Sequence, residues 1–307
     1  MPARSSPRAA RREHQKQRAP AHELSLEVAE AKPFLKWAGG KWTLASQILP
    51  LLPPVAGRTY REPFLGGGAI YFKLRGSTPP SRAVLSDAQG DLVRTYEVVR
   101  DAPDALVERL EELGRQHSKR HFYDVRKRFN TPALGESVER AAWLIYLNKT
   151  CFNGLFRTNK SGEFNVPIGR FDNPRIVDEP RIRAASAALR GAHLATSGYD
   201  HLLEEAEPGD VVYLDPPYVP LSKTSSFAAY SLAFGPDEQA HLADTFRQLD
   251  ARGCLLALSN SDTPDVRKLY KGFELTEIDA ARSIGSRGES RVRVTELLVR
   301  NVKKYRG

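Results

Sequence analysis

Gly209-Asp210-Val211-Val212-Tyr213-Leu214-Asp215-Pro216-Pro217-Tyr218 sets the architecture of this chain. Val211 to Leu214 is a β-branched, aromatic and aliphatic run that reads as a short buried strand. An acid, two prolines and an aromatic follow at once. Proline donates nothing to a β-ladder and fixes φ, so the strand stops and a stiff turn begins. Asp215 and Tyr218 are thereby held at the carboxyl end of a strand, the edge where open α/β sheets bind ligands.

Outward from this turn the chain alternates strand and helix signals, beginning near Lys32. Arg58 to Phe64 and Ala83 to Asp87 read as strands, each followed by a glycine turn and a helix-like run. Cys254 to Ser259, Glu274 to Ile278 and Val294 to Val299 are further strands. Between two of these lies a helix with Pro236 in its first turn, Leu242, Phe246 and Leu249 on one face, and Gly253 at its end. The alternation predicts a doubly wound, mostly parallel α/β sheet. The middle of the chain differs. Val138, Ala141, Ala142 and Ile145 mark a buried helix face. The segment Asn148 to Arg170 then carries Asn-Gly and Ser-Gly pairs among aromatics, which suggests hairpin turns inserted into the sheet pattern.

The 307 residues include 46 basic and 37 acidic side chains, a net charge of +9. The first 22 residues hold Arg4, Arg8, Arg11, Arg12, Lys16 and Arg18 against Glu13 alone, with no aromatic, and are expected to be disordered. Two uses of this tail stay open, an arm that grazes nucleic acid and a solubilising extension. No apolar run reaches the ~18 residues of a membrane span. Cys151 and Cys254 lack metal or disulfide-framework spacing, and a reducing cytoplasm is the plain reading. His117 and His121 read as solvated side chains of a basic helix. Asn260 and Asp262 read as a strand-end turn.

The Asp-Pro-Pro-Tyr turn suits one chemistry well. The exocyclic amino group of a nucleobase is a poor nucleophile because its lone pair is delocalised into the ring. The Asp215 carboxylate and the Pro216 carbonyl can together accept both amino hydrogens, which aims the lone pair outward. Tyr218 can stack on the base. Three other segments join this turn: Phe34 to Lys41, with Trp37 and two lysines around a glycine pair; Arg61-Glu62-Pro63-Phe64-Leu65-Gly66-Gly67-Gly68; and Val84 to Asp87. The glycines let a ligand approach the backbone. The acid that follows them by about 20 residues stands where a ribose hydroxyl pair is usually held. The first segment lacks phosphate-loop spacing. Together they describe an S-adenosyl pocket beside a base pocket.

At these residues the chain resembles the Dam-type (D12 class) family of DNA adenine-N6 methyltransferases, from about Phe34 to Asn301. The phrases FLKWAGGK, EPFLGGGA, YLNKTCFNGLFRTNKSGEFNVPIGR, DVVYLDPPYVPLS and LSNSD carry the resemblance. It implies a class I, Rossmann-like S-adenosylmethionine-dependent catalytic domain at 32–100 and 190–303, a target-recognition domain at 101–189 and the tail at 1–31. It implies S-adenosylmethionine as methyl donor, with Trp37, Lys41, Asp87 and Asp215 contacting it, Phe64 and Gly66 shaping its floor, and no metal. Asp215, Pro216 and Tyr218 are the implied catalytic residues. Lys36, Phe152, Asn153, Leu155, Arg157 and Arg170 are the implied contacts to double-stranded DNA, with Pro167 at the far end of the hairpin. Phe152 would fill the space of a flipped base, and Arg157 would read a guanine edge. GATC is the implied site. A monomer in a bacterial or phage setting is expected, with or without a cognate restriction endonuclease.

Two further expectations concern loops. Ser225 to Tyr230 would close over the base, with Phe227 as a second stacking face or a packed connector. Arg282, Arg287, Arg291 and Arg293 would meet phosphates. The rival readings are N4-cytosine methylation by the same turn and a catalytically silent DNA-binding module. A protein-glutamine methyltransferase would show asparagine at Asp215, and the paired acids and lysine of a nuclease are not found.

Overall fold

The computed structural model describes residues 28, 31–131, 137–218, 234–281 and 293–301. The basic tail (apart from Val28 and Ala31), Ser225 to Tyr230, Arg282, Arg287 and Arg291 lie outside the described residues, as does the side chain of Arg293. Seven strands form one sheet: β1 (Thr59–Glu62), β2 (Arg82–Asp87), β3 (His193–Thr196), β4 (Val211–Leu214), β5 (Leu255–Ser261), β6 (Glu274–Ala281) and β7 (Arg293–Arg300). Their spatial order is β3-β2-β1-β4-β5-β7-β6. The first five in that order are mutually parallel, whereas β7 runs antiparallel to both β5 and β6. The order changes direction between β1 and β4, which opens a crevice at the carboxyl ends of those two strands.

β4 has the bounds the sequence predicts, and all four of its residues are buried. Its side chains alternate between two cores. Val211 and Tyr213 join one hydrophobic cluster, and Val212 and Leu214 join the other. β5 and β7 follow suit, with Leu255, Ala257 and Leu298 in the first cluster and Leu256, Leu258, Leu297 and Val299 in the second. A strand apolar on both faces belongs in a sheet covered on both sides, as the doubly wound reading requires.

β3 is absent from the sequence reading. Only Leu194 of His193–Thr196 is fully buried, so this edge strand carries no alternation to detect.

The helices include α1 (Ala69–Ser77), α2 (Gly90–Asp101), α3 (Pro103–Arg115), α4 (Lys119–Phe129), α5 (Ser137–Thr150), α6 (Glu179–Leu189) and α7 (Pro236–Arg252). α7 starts on Pro236 and ends at Gly253, whose φ of 97° lies in the left-handed region. Proline costs nothing in a first turn, and glycine adopts that cap conformation without strain.

α5 is buried on more than the one expected face: every residue from Ala141 to Asn148 is covered. The helix runs between α2, α3 and α4, so no side of its middle reaches water. One continuous core joins these helices to the sheet side of α1 and α2.

After α5, antiparallel bridges pair Cys151 with Ile168 and Thr158 with Phe164. The turn between them is the Ser-Gly pair, with Gly162 at φ 80°. The Asn-Gly pair does not make a second hairpin turn. Asn153 (φ 56°) and Gly154 (φ 65°) instead bend the chain in a short 3-10 element, Phe152–Gly154.

Candidate active site

The crevice between β1 and β4 is a cleft enclosing about 250 Å³. Trp37, Lys41, Gly66, Asp87 and Asp215 all line it, together with Phe64, Pro216 and Tyr218. The segments singled out in the sequence therefore meet in one place.

Each wall has a local cause. Beyond β1 the chain turns through Gly66 (φ 47°) and Gly68 (φ 67°) before α1 begins. A Cβ on Gly66 would lie 2.9 Å from the Trp37 indole, so glycine is what lets that ring settle on the turn. The Asp87 carboxylate, at the end of β2, accepts from the backbone amides of Gly66 (3.0 Å) and Gln89 (2.9 Å). It thus fastens the glycine turn to β2. At the start of β4, buried Asp210 accepts from Arg61 Nε at 2.6 Å, which ties β4 to β1 below the cleft.

Lys41 is only 3% exposed, with Nζ 2.9 Å from Asp215 Oδ1, 3.8 Å from Glu296 Oε2 and 2.6 Å from the Gly39 carbonyl. The same Nζ lies 4.6 Å from the centre of the Tyr218 ring. The Tyr218 hydroxyl donates to Glu296 Oε2 at 2.9 Å. The carbonyl of Pro217, not that of Pro216, accepts from Gln239 Nε2 at 3.0 Å.

Burial pushes the Asp215 carboxyl up to about 6; Lys41 opposes the rise and Glu296 adds to it. Glu62 also lines the cleft and accepts from the Tyr60 hydroxyl at 2.8 Å. Burial raises its carboxyl to about 8, against the lowering effect of that hydrogen bond. A carboxyl with that affinity holds its proton at neutral pH.

The second group of sequence-marked residues assembles beside the cleft. Asn148 Oδ1 accepts from the Lys36 amide at 2.9 Å. Its Nδ2 donates to the carbonyls of Lys36 (2.8 Å) and Gly154 (3.0 Å). This clamp joins the Phe34 to Lys41 segment to the loop after α5. Phe152 is 46% exposed, the most exposed large apolar side chain among the described residues, and Phe171 is 41% exposed. Lys36 Nζ lies 5.4 Å from the Phe171 ring centre. Asn153 and Arg170 are exposed, and Leu155 and Arg157 are half-buried. Arg157 Nε donates to Asn165 Oδ1 at 2.8 Å. Phe156 stacks on Trp37, with centroids 5.3 Å apart and planes at 19°, and so carries the loop to the wall of the cleft.

Several groups at the site were not legible in advance: Glu62, Phe156, Gln239 and Glu296. Two histidines depart from expectation. His117 precedes α4 and its Nδ1 lies 2.8 Å from the Tyr146 hydroxyl; His121 packs edge-on to the same ring at 5.6 Å. Both are half-buried, not solvated, because the Tyr146 side chain of α5 reaches between them. Among the described residues no group of three or more His, Cys, Asp or Glu side chains could hold a metal ion, and no helix is long and apolar enough to cross a membrane.

A mostly parallel sheet, a glycine turn at its switch point and an Asp-Pro-Pro-Tyr turn opposite make a Rossmann-like fold with a cleft between those turns. Residues 37–284 match the model of the D12 class N6 adenine-specific DNA methyltransferases, and the chain belongs to that family. It is similar to the type II methyltransferase M1.LlaDCHI of Lactococcus lactis subsp. cremoris, at 39% identity over 91% of this chain and 98% of that one. The type II methyltransferase M.MjaIII of Methanocaldococcus jannaschii is 42% identical, over 89% and 99%. The DNA adenine methylase of Escherichia coli (strain K12) is 36% identical, over 87% and 94%. The enzyme methylates adenine in DNA, and the N4-cytosine alternative is set aside on the family match.

Proposed function

We propose that this enzyme moves a methyl group from S-adenosylmethionine to N6 of an adenine flipped out of duplex DNA, within GATC. One observation carries the reading: Asp215, Pro216 and Tyr218 open into the same cleft as Trp37 and the Gly66–Gly68 turn. The residues present fit the donor. The glycine turn seats the Trp37 ring against the backbone, and the Asp87 and Asp215 carboxylates in the same cleft suit a cationic ligand. When bound, S-adenosylmethionine supplies an electrophilic methyl on a sulfonium.

The chain's own residues do the rest. Trp37, Lys41 and Asp87 hold the donor side, and the Asp215 carboxylate and Pro216 carbonyl accept the two amino hydrogens on the other. Tyr218 stacks on the base. Flipping costs a few kcal/mol, offset in part by Phe152 filling the vacated space. Alignment of the reacting atoms is worth roughly 7–11 kcal/mol in well-oriented systems.

Lys36, Asn153, Leu155, Arg157 and Arg170 read the site, and the GATC assignment rests on the likeness of the Asn148 to Arg170 segment to the family. Residues 101–189 act as the recognition domain, and 32–100 with 190–303 as the catalytic domain of a monomer. The type II names of two relatives support pairing with a restriction endonuclease. Incubation with methyl-labelled donor and duplexes with or without GATC, followed by base analysis, tests the reading. Label as N6-methyladenine only in GATC duplexes is expected; label on cytosine, none at all, or equal label in every duplex overturns it.

A further inference from the structure

We infer that Glu296 is a positioning residue for methyl transfer, holding the Tyr218 ring by its hydroxyl from the β7 side of the turn; this rests on the function proposed above. Glu296 is 6% exposed in a strand whose next three residues, Leu297 to Val299, are wholly buried. It sits opposite Ser261 of β5 and Ile278 of β6. A carboxylate in such a strand is costly unless it is paired and hydrogen-bonded. Here one oxygen, Oε2, takes the Tyr218 hydroxyl at 2.9 Å and faces Lys41 Nζ at 3.8 Å.

Those two partners are not incidental. Lys41 is the cation that pairs with Asp215, and it also lies under the Tyr218 ring. Glu296 thus ties the stacking side chain to the lysine that holds the acceptor carboxylate. A second strut reaches the same turn from the same side. Asn260, next to Ser261, donates from Nδ2 to Gln239 Oε1 at 2.9 Å, and Gln239 Nε2 donates to the Pro217 carbonyl at 3.0 Å. Both Gln239 and Asn260 are buried. Asn260 is therefore a buried residue within β5, paired with Leu297 of β7, and not part of a strand-end turn. The paired prolines stiffen Asp215 to Pro217 by themselves, but they do nothing for the Tyr218 side chain, which keeps its rotamer freedom. The Glu296 hydrogen bond removes it. Small misplacements of a reacting base cost large factors in rate, so the effect belongs in turnover and not in affinity.

The test is single-turnover methyl transfer from labelled donor to a GATC duplex, with binding of S-adenosylhomocysteine and of the duplex measured separately. Wild-type transfer to adenine comes first, and its absence would defeat the proposed function, not this inference. Glu296→Gln keeps an acceptor for the tyrosine and is expected to stay within about threefold of wild type. Glu296→Met, similar in length with no acceptor, is expected to slow transfer about tenfold while both affinities change less than about threefold. In a Tyr218→Phe background the same Met substitution is expected to add less than about twofold, because the bond is already gone. A Met penalty undiminished in that background, a glutamine as slow as methionine, or a loss confined to affinity overturns the proposal. Should Glu296→Met not fold, Tyr218→Phe alone breaks the bond from the surface end. It must then slow transfer about fivefold with duplex affinity unchanged, and wild-type turnover overturns the proposal.

Discussion

Lys41 Nζ and the Asp215 carboxylate form an ion pair at 2.9 Å, with the lysine almost wholly buried. Burial raises the Asp215 carboxyl from 3.8 to about 6, and Lys41 limits the rise. In the proposed role the carboxylate accepts amino hydrogens only when ionised, so kcat/KM is expected to fall as pH drops through about 6. Lys41→Met removes the opposing cation, and the acid limb is expected to move to higher pH. A limb that stays in place in the variant would show that the ion pair does not tune this carboxyl.

Asp215→Ala is expected to lower methyl transfer at least a thousandfold while duplex affinity changes less than about threefold, since the proposed acceptor role acts on the reacting nitrogen and not on DNA capture. Gel shifts and labelled transfer measure the two quantities on one preparation. Equal losses in both would assign Asp215 to binding.

How much of this was readable in the chain depended on how local the signal was. Val211 to Leu214 and the prolines after it define a strand and its stop within eight residues, and the structure keeps those bounds. α7 is equally local, announced by Pro236 and closed by Gly253. β3 gives no such signal, being short and covered at Leu194 alone.

Among the residues that line the cleft, those in glycine- or proline-rich turns were marked in the sequence, because such turns have few other uses. Glu62 and Glu296 were not: each is a single acid inside a strand, Glu62 bonded to Tyr60 two residues before it and Glu296 to Tyr218 far along the chain. A cue did exist. Acids are almost never fully buried unless paired, so Glu296 directly before Leu297-Leu298-Val299 is an anomaly with a structural answer.

Glu62 makes a stability prediction. Its carboxyl titrates near 4.5 when unfolded and at about 8 in the fold, driven up by burial. Between those values the folded protein binds more protons than the unfolded chain, so this group's contribution falls as pH rises through that window. Glu62→Gln is neutral throughout and can still accept from Tyr60. Urea unfolding is expected to give the two proteins similar stability near pH 4.5, within about 1 kcal/mol. The variant should gain on wild type steadily toward pH 8. Parallel curves would mean that Glu62 is ionised in the fold.

Asn148 joins the Lys36 segment to the Phe152–Gly154 bend by three hydrogen bonds. Asn148→Ala strips partners from one amide and two carbonyls, and each buried group left unsatisfied costs about 1–3 kcal/mol. A lower melting temperature is expected. Since the clamp is what joins Lys36 to the Phe152–Gly154 bend, the proposed discrimination between GATC and duplexes altered at one base should weaken too. Thermal melts with competition transfer assays check both, and a melting loss with intact discrimination would confine the clamp to stability.

Arg157 gives the sharpest test of sequence reading. Asn165 holds its Nε, so in the proposed reading the two terminal nitrogens are the ones set against a base edge. A bidentate arginine–guanine contact contributes about 1–3 kcal/mol of discrimination against other bases at one position. Arg157→Ala should therefore bring transfer to GATC within severalfold of transfer to duplexes changed at that one guanine, leaving preference at the other positions intact. A lysine that contacts phosphate behaves otherwise, weakening binding evenly across sequences and reducing the salt slope. Asn165→Ala separates pre-orientation from contact: it leaves the guanidinium in place but frees it, so discrimination should drop by less than in Arg157→Ala. A uniform loss of transfer across all duplexes for Arg157→Ala would reassign this arginine from base reading to the backbone.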